Sequence, residues 1–448
     1  VGLYCFLVPG GRRHNTVIDV SVIVTVVALG VVAAGLLRSP ESVAVDADSS
    51  VVFEPVQYPV DIPGCVEVEP PPSDEGEVVM RATLGGETPS YDNPAYPWLT
   101  SGKAGAMSDA VLAALPADVT VALAAPSQSL TFQPVDDLGG AVPEGFEPST
   151  TATGTLARGD SSAYASVDVR PSETGIPACI AGALDARTTE SDGTVVDTVD
   201  SWYEFAGDRT NLRTATAYHP DGTQVTANLT AARSDEFPLE SSELARIATV
   251  SDLRVAVPAP AGSAAPRQDC SVWTQDSGSA QDIRADRVAA ANDALATVWQ
   301  AIPNAPALNR PIGSLVPGYY GSGVCTDLEV VGTRVGLFVS VSGGAELPVA
   351  TDPYDPDNAY GPVVEFRTLP DGSAVESYDA DIVNSTTSED GTTQLTRSVT
   401  VTRPSGVQVS VRSTAAFEPG SYAPLVLPDP LPFEVLDAVA QAPIEQWP

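Results

Sequence analysis

The chain has 448 residues, 43% of them apolar, and carries a formal charge of −36 at neutral pH. That length accommodates two or three domains, and that apolar content fills real cores, so wholesale disorder is excluded. An acidic exterior repels phosphate backbones, which excludes nucleic acid as a partner and leaves either a solvated surface or a docking surface for a cationic one.

Residues 20–37, VSVIVTVVALGVVAAGLL, carry no charge, and Val17 and Ile18 extend the run past Asp19. At about 1.5 Å per residue the run approaches the roughly 30 Å of a hydrocarbon core, so residues 17–37 are predicted to be a transmembrane helix. Arg12 and Arg13 precede it, whereas Glu41, Asp46 and Asp48 follow Arg38. The positive-inside rule then makes 1–16 a cytoplasmic N-terminus and the rest extracytoplasmic, in a single pass through the cell membrane. Val45-Asp46-Ala47 has the small residues of a cleavage site, but it lies far beyond an apolar run already longer than a signal core. An uncleaved signal anchor is expected.

Cys5 falls on the cytoplasmic side and is expected to be a free thiol. Cys65, Cys179, Cys270 and Cys325 fall outside, an even number in an oxidising compartment, so two disulfides are expected. Of the three pairings, the preferred one joins cysteines within a module, Cys65–Cys179 and Cys270–Cys325. The sequence has no C-x-x-C pair and only two histidines, which argues against zinc.

Residues 38–105 are rich in proline and acid, as in Glu69-Pro70-Pro71-Pro72, and read as an extended stalk. Tyr91, Tyr96 and Trp98 near its end are expected to pack against a first α+β module, which spans 106–255. That module opens at a helix N-cap signal, Ser108-Asp109, with Val111, Leu112 and Leu115 at helical spacing. Alternating runs then turn at Arg158-Gly159-Asp160, Asp192-Gly193 and Pro220-Asp221-Gly222, with Ala163, Ala165, Val167 and Val169 sharing one face. A short helix over 242–250 presents Leu244, Ile247 and Ala248. A Pro/Ala/Gly/Ser linker occupies 256–284, and a second module spans 285–448. Its helix aligns Val288, Ala291, Leu295, Val298 and Ile302, its strands turn at Asp371-Gly372 and Pro404-Ser405-Gly406, and a helix over 433–442 ends it.

Turn chemistry recurs in the same order in both modules, most clearly in two hairpins, 211–231 and 395–415. The expected fold is therefore α+β: an N-terminal transmembrane helix, then two tandem repeats of helix, antiparallel β-meander and helix.

The turn Leu369-Pro370-Asp371-Gly372, the hairpin at Arg403-Pro404-Ser405-Gly406, and the run from Pro432, Phe433 and Leu436 to Pro443 and Trp447 carry a resemblance. They are similar to a unit of actinobacterial single-pass membrane-anchored envelope proteins of unassigned function, with an LPDG turn, an RPDG hairpin and a terminal PL..L..A..P..W helix. The resemblance covers 361–448 and, more loosely, 179–255. It implies an envelope location and brings no catalytic residue.

Candidate chemistry is sparse. His14 is membrane-proximal, and His219, beside Pro220, reads as an exposed turn residue rather than the base of a nucleophilic site. Thr100-Ser101-Gly102-Lys103 reads as a solvated loop rather than a Ser–Lys pair or phosphate loop. Asp352, Asp355, Asp357 and Asn358 could offer oxygens to Ca²⁺, though their spacing matches no EF-hand. Arg158-Gly159-Asp160 reads as a hairpin turn, and Asn228 and Asn384 begin glycosylation sequons. The expectation is a non-enzymatic binding module of the cell envelope, without a cofactor, whose partner is an envelope protein or polymer. The alternative is a carrier or sensor of an apolar ligand held between a helix and a curved sheet.

Overall fold

A computed structural model describes residues 51–71, 90–135, 148–172, 174–232, 236–272, 283–319, 323–349, 364–382, 394–416, 429–444 and 447. The segments 1–16 and 17–37 lie outside them, and no described helix is long and apolar enough to cross a membrane. The chain divides into two units near Arg267.

The first unit contains β1 (Val51–Phe53), α1 (Ser101–Ala114), β2 (Thr120–Val121), β3 (Thr150–Arg158) and β4 (Ser161–Pro171). It continues with β5 (Ala186–Thr189), β6 (Val195–Phe205), β7 (Asp208–Tyr218), β8 (Thr223–Ala232) and α2 (Ser241–Ala248). Its antiparallel sheet runs β1-β6-β7-β8-β4-β3-β2, and β5 also pairs with β6. The second unit contains α3 (Ala285–Ala301), β9 (Val316–Pro317), β10 (Gly323–Glu329), β11 (Val335–Ser342) and β12 (Val364–Thr368). It ends with β13 (Ala374–Ile382), β14 (Gln394–Thr402), β15 (Gln408–Ala416) and α4 (Phe433–Ala440). Its sheet runs β12-β13-β14-β15-β11-β10-β9.

These sheets correct the expected layout of a transmembrane helix followed by two helix–meander–helix repeats. The described chain is mostly β-sheet, and neither sheet is a meander. In each, a chain-order run of strands folds back so that its last strand pairs with an earlier one, β8 with β4 and β15 with β11. Left apart, the two groups of strands would each expose a further edge of unpaired backbone groups, and this pairing removes both. Turn signals are local and contain nothing about a partner sixty residues away, so strands inferred from them fall into chain order.

The hairpins themselves follow their turn residues. Gly222 and Gly406 sit at φ +81° and +83°, left-handed values that glycine adopts without a Cβ penalty. Each turn closes with the same bonds: the Gly222 amide donates to the His219 carbonyl at 3.0 Å and the Gly406 amide to the Arg403 carbonyl at 2.8 Å. Beyond each turn, alternate residues enter the core. Val225, Ala227 and Leu229 meet Ala163, Ala165, Val167 and Val169 under Met107 and Val111 of α1 and Leu244 and Ile247 of α2. In the second unit Val335, Leu337, Val339, Val341, Val409 and Val411 meet Val288, Leu295, Leu436 and Val439.

Each terminal helix is held at both ends by its own hairpin. Arg213 on β7 grips Asp200 through two bonds of 2.8 and 2.6 Å and donates to the Leu239 carbonyl ahead of α2. Arg397 on β14 likewise meets Asp379 and the Pro430 carbonyl ahead of α4. At the far end, His219 lies against the Ala248 carbonyl, and Arg403 donates to the carbonyls of Ala442 and Ile444.

The described parts of the predicted stalk belong to the first unit. Strand β1 pairs with β6, and Tyr91, Tyr96 and Trp98 pack against the first core. The disulfide Cys65–Cys179 ties the segment to the connection between β4 and β5, and Cys270–Cys325 ties the linker preceding α3 to β10. Helix α1 starts earlier than Ser108-Asp109 suggested: Thr100 is the N-cap, its hydroxyl accepting from the Lys103 amide. Ser108 instead lies inside the helix, donating to the Ala104 carbonyl and accepting from the Phe132 amide. The hydroxyl that resembled a cap ties the helix to the segment ahead of β3.

Lys103, the only lysine of the chain, is 3% exposed. Its ammonium donates to the carbonyls of Asp252, Arg254 and Val257 at 2.6, 3.0 and 2.6 Å. Burial pushes its pKa down against the pull of Asp252 and Asp221. Replacing it by methionine (K103M) leaves three carbonyls without their donor. The expected loss is about 2–4 kcal/mol of unfolding free energy for the first unit, read from urea denaturation.

Candidate functional site

In each sheet the residues between the core positions form an outer face, and the strand registers order them into rows. In the first unit one row runs Val199, Thr214, Asn228, Ser166, Thr153. Its three central residues are bonded to one another: the Thr214 hydroxyl donates to Asn228 Oδ1 at 2.8 Å, and Asn228 Nδ2 donates to Ser166 at 3.4 Å. Asn228 and Ser166 are buried. Placing the two hairpin turns in register, the equivalent row of the second unit runs Tyr378, Ser398, Arg412, Phe338, Asp327.

The chemistry of this second row is different. Arg412 is exposed with its guanidinium 5.1 Å from the centre of the Phe338 ring, while Tyr378 and Phe338 are half-buried. Arginine, tyrosine and phenylalanine on a rigid sheet bring large contact area and directed donors at low ordering cost, the composition of recognition surfaces. The next row passes through Phe366, Glu376, Thr400 and Ser410, where the Thr400 and Ser410 hydroxyls are 3.0 Å apart. Glu376 is half-buried, and burial raises its pKa.

A separate shallow groove of about 400 Å³ lies against the start of α3, lined by Arg284, Asp286, Arg287, Ala290, Ala291, Pro443 and Ile444. Its Arg284 is paired with Asp286 at 3.1 Å.

The residues singled out from sequence are dispersed. His219 is buried, not exposed: its Nδ1 lies 3.2 Å from the Thr194 hydroxyl and its Nε2 3.4 Å from the Ala248 carbonyl. The turn that carries it folds under the end of α2, which the turn signal could not reveal. Thr100-Ser101-Gly102-Lys103 is the N-terminus of α1 rather than a solvated loop, and the Lys103 ammonium is occupied by carbonyls. Arg158-Gly159-Asp160 turns β3 into β4, with Arg158 bound to Glu243 of α2. Asn228 is buried in the polar network. His14, Cys5, Asn384 and the calcium candidates Asp352, Asp355, Asp357 and Asn358 lie outside the described residues, among which no cluster of three or more His, Cys, Asp or Glu is placed to hold a metal.

The outer-face row is hidden from the sequence because Phe338 and Arg412 are neighbours only through the β11–β15 pairing. Half of the signal was present: aligning the hairpins copy against copy sets Arg412 opposite Asn228.

No family model and no curated protein matches the chain. Among solved structures, the crystal structure of the di-domain ARO/CYC StfQ from the steffimycin biosynthetic pathway is 11% identical, with a TM-score of 0.11 over 67% of this chain and 84% of that one. A likeness at that score carries no argument about fold or activity.

Burial lowers the His219 pKa below its ordinary value, so the folded chain holds that proton less tightly than the unfolded one. The associated stability is complete above about pH 6.5, the unfolded value, and is lost as pH falls through the lowered folded value. Denaturation of wild type and H219Q between neutral and mildly acidic pH is expected to show a shallower loss in the variant.

Proposed function

We propose that this protein is an extracytoplasmic binding module of the cell envelope, tethered to the membrane through residues 17–37, with the outer face of the second sheet as its contact surface for an envelope protein or polymer. The observation that carries this reading is the contrast between the two outer faces on one shared strand order. The first is a network of Thr214, Asn228 and Ser166 bonded to one another, and the second presents Tyr378 and Arg412, with Phe338 seated between Arg412 and the Cys270–Cys325 disulfide. Two disulfides suit an oxidising compartment, the uncharged run 20–37 suits a tether, and the resemblance to actinobacterial envelope proteins points to the same place.

The carrier reading calls for room between helices and sheet. In the first unit that space is taken by Met107, Phe132, Leu156, Leu229 and Leu244, all buried. The binding reading is therefore preferred.

A photo-crosslinking amino acid at Tyr378, with the full chain in its native membrane, is expected to yield a discrete adduct that the same group at exposed Ile176 in the first unit does not. Equal adducts at both positions, or none at Tyr378, overturn the assignment of the face. For the tether, a membrane-impermeant thiol reagent is expected to reach Cys5 from the cytoplasmic side alone. Labelling from outside reverses the topology.

A further inference from the structure

The two units differ most sharply at one buried charge. In the first, Arg187 on β5 and Asp197 on β6 are opposite one another in register. The guanidinium grips the carboxylate with Nε–Oδ1 at 2.6 Å and Nη2–Oδ2 at 2.7 Å, and the two side chains are only 13% and 11% exposed. Charge-assisted bidentate bonding of this kind is among the strongest polar contacts available to a protein.

Glu376 occupies the place of Asp197 in the second unit. Asp197 faces Thr216 and Glu376 faces Thr400, and these two threonines hold the same station relative to their hairpins. Across the other edge, where the first unit has Arg187, the second has Phe366, paired in register with Glu376. The acid has been kept and its cation replaced by an aromatic ring. Among the described residues no cationic side chain pairs with Glu376, although it is half-buried.

A half-buried carboxylate beside an aromatic face suits a guanidinium arriving from outside, with the ring beneath and the acid at the edge. Two of the chain's own guanidinium groups are held in that way: Arg213 lies 4.7 Å from the Phe237 ring centre and pairs with Asp200, and Arg397 lies 5.8 Å from Phe433 and pairs with Asp379. Lysine fits less well, since an ammonium offers neither the planar fork nor the stacking surface. The formal charge of −36 draws an arginine-bearing partner toward the protein before contact.

We propose that Glu376 and Phe366 form a receptor for an arginine side chain of a protein partner, supplying in trans the ion pair that Arg187 and Asp197 make in cis. Tyr378, two residues along the same strand and on the same face, borders the site. The proposal rests on the binding reading of this face and names the group that the face recognises.

The test follows the Glu376 side-chain carboxyl by carbon NMR in full-length protein labelled at the glutamate δ-carbon, its resonance assigned by its loss in E376Q. With excess N-acetyl-arginine amide the titration midpoint of Glu376 is expected to fall, and to fall less with N-acetyl-lysine amide or sodium chloride at equal ionic strength. In F366R, which rebuilds the first unit's pair, the midpoint is expected to be low from the start and indifferent to the arginine probe. An unmoved wild-type midpoint, or equal movement with all three additives, overturns the proposal. F366R and E376Q are both expected to cut the Tyr378 crosslink yield about tenfold, the equivalent of one charged hydrogen bond. Undiminished yield in both variants defeats the arginine receptor while leaving the binding face intact. A shift with the arginine probe in a protein that forms no Tyr378 adduct leaves the receptor standing and defeats the envelope-partner reading.

Discussion

Each unit depends on one long-range strand pairing, β4 with β8 in the first and β11 with β15 in the second. The hairpins on either side form locally, because their turns satisfy their own backbone groups and their alternation gives each an apolar face. Neither group of strands can bury that face alone. Joining them edge to edge satisfies the exposed backbone and also merges two narrow apolar strips into one surface broad enough for the helices. Loop closure over such a separation costs entropy before any contact is made, so the pairing must be rewarded by the continuous core it creates.

The terminal helices follow from the same hairpins. Arg213 and Arg397 project from equivalent strand positions to the chain ahead of each helix, while His219 and Arg403 project from equivalent turns to its end. The imidazole and the guanidinium differ in charge and reach: His219 meets a carbonyl at the end of α2, and Arg403 donates to carbonyls of the chain just past α4. These hairpins are the most patterned stretches of the sequence because they serve the sheet, the core and the helix together. Their inner faces are bound by packing, and their outer faces are where the two units diverge. In the first, Thr214, Asn228 and Ser166 bond to one another and Arg187 answers Asp197. In the second, Arg412 stands at the station of Asn228 and Phe366 at that of Arg187, so the side chains at those stations change in kind.

Much of the local structure was legible. The core-facing residues from Ala163 to Val169 were marked by strict alternation, and the turns at Gly159, Gly193, Gly222, Gly372 and Gly406 by Gly with Asp or Pro. Legibility ended where a residue's local signal was overridden from elsewhere in the chain. Ser108 looks like a cap but from within a helix bonds the distant amide of Phe132, and His219 looks exposed because nothing near it shows that α2 returns over its turn. Lys103 looks solvated because its acceptors lie some 150 residues away. The stalk looks extended because the disulfide and strand pairing that bind it to the first unit are both distant in sequence.

By itself, the sequence determined the charge, which face of the alternating strands would be apolar, and that the turns recur in order. These are properties of single residues and of neighbours two to four apart, where backbone sterics and side-chain period act directly. Only the tertiary structure decided the strand order, the burial of Lys103 and His219, and the gathering of Phe366, Glu376, Tyr378 and Arg412 on one face. Those depend on which edges meet, and edges carry backbone groups that are the same for every residue, so the choice among them is made by the core as a whole.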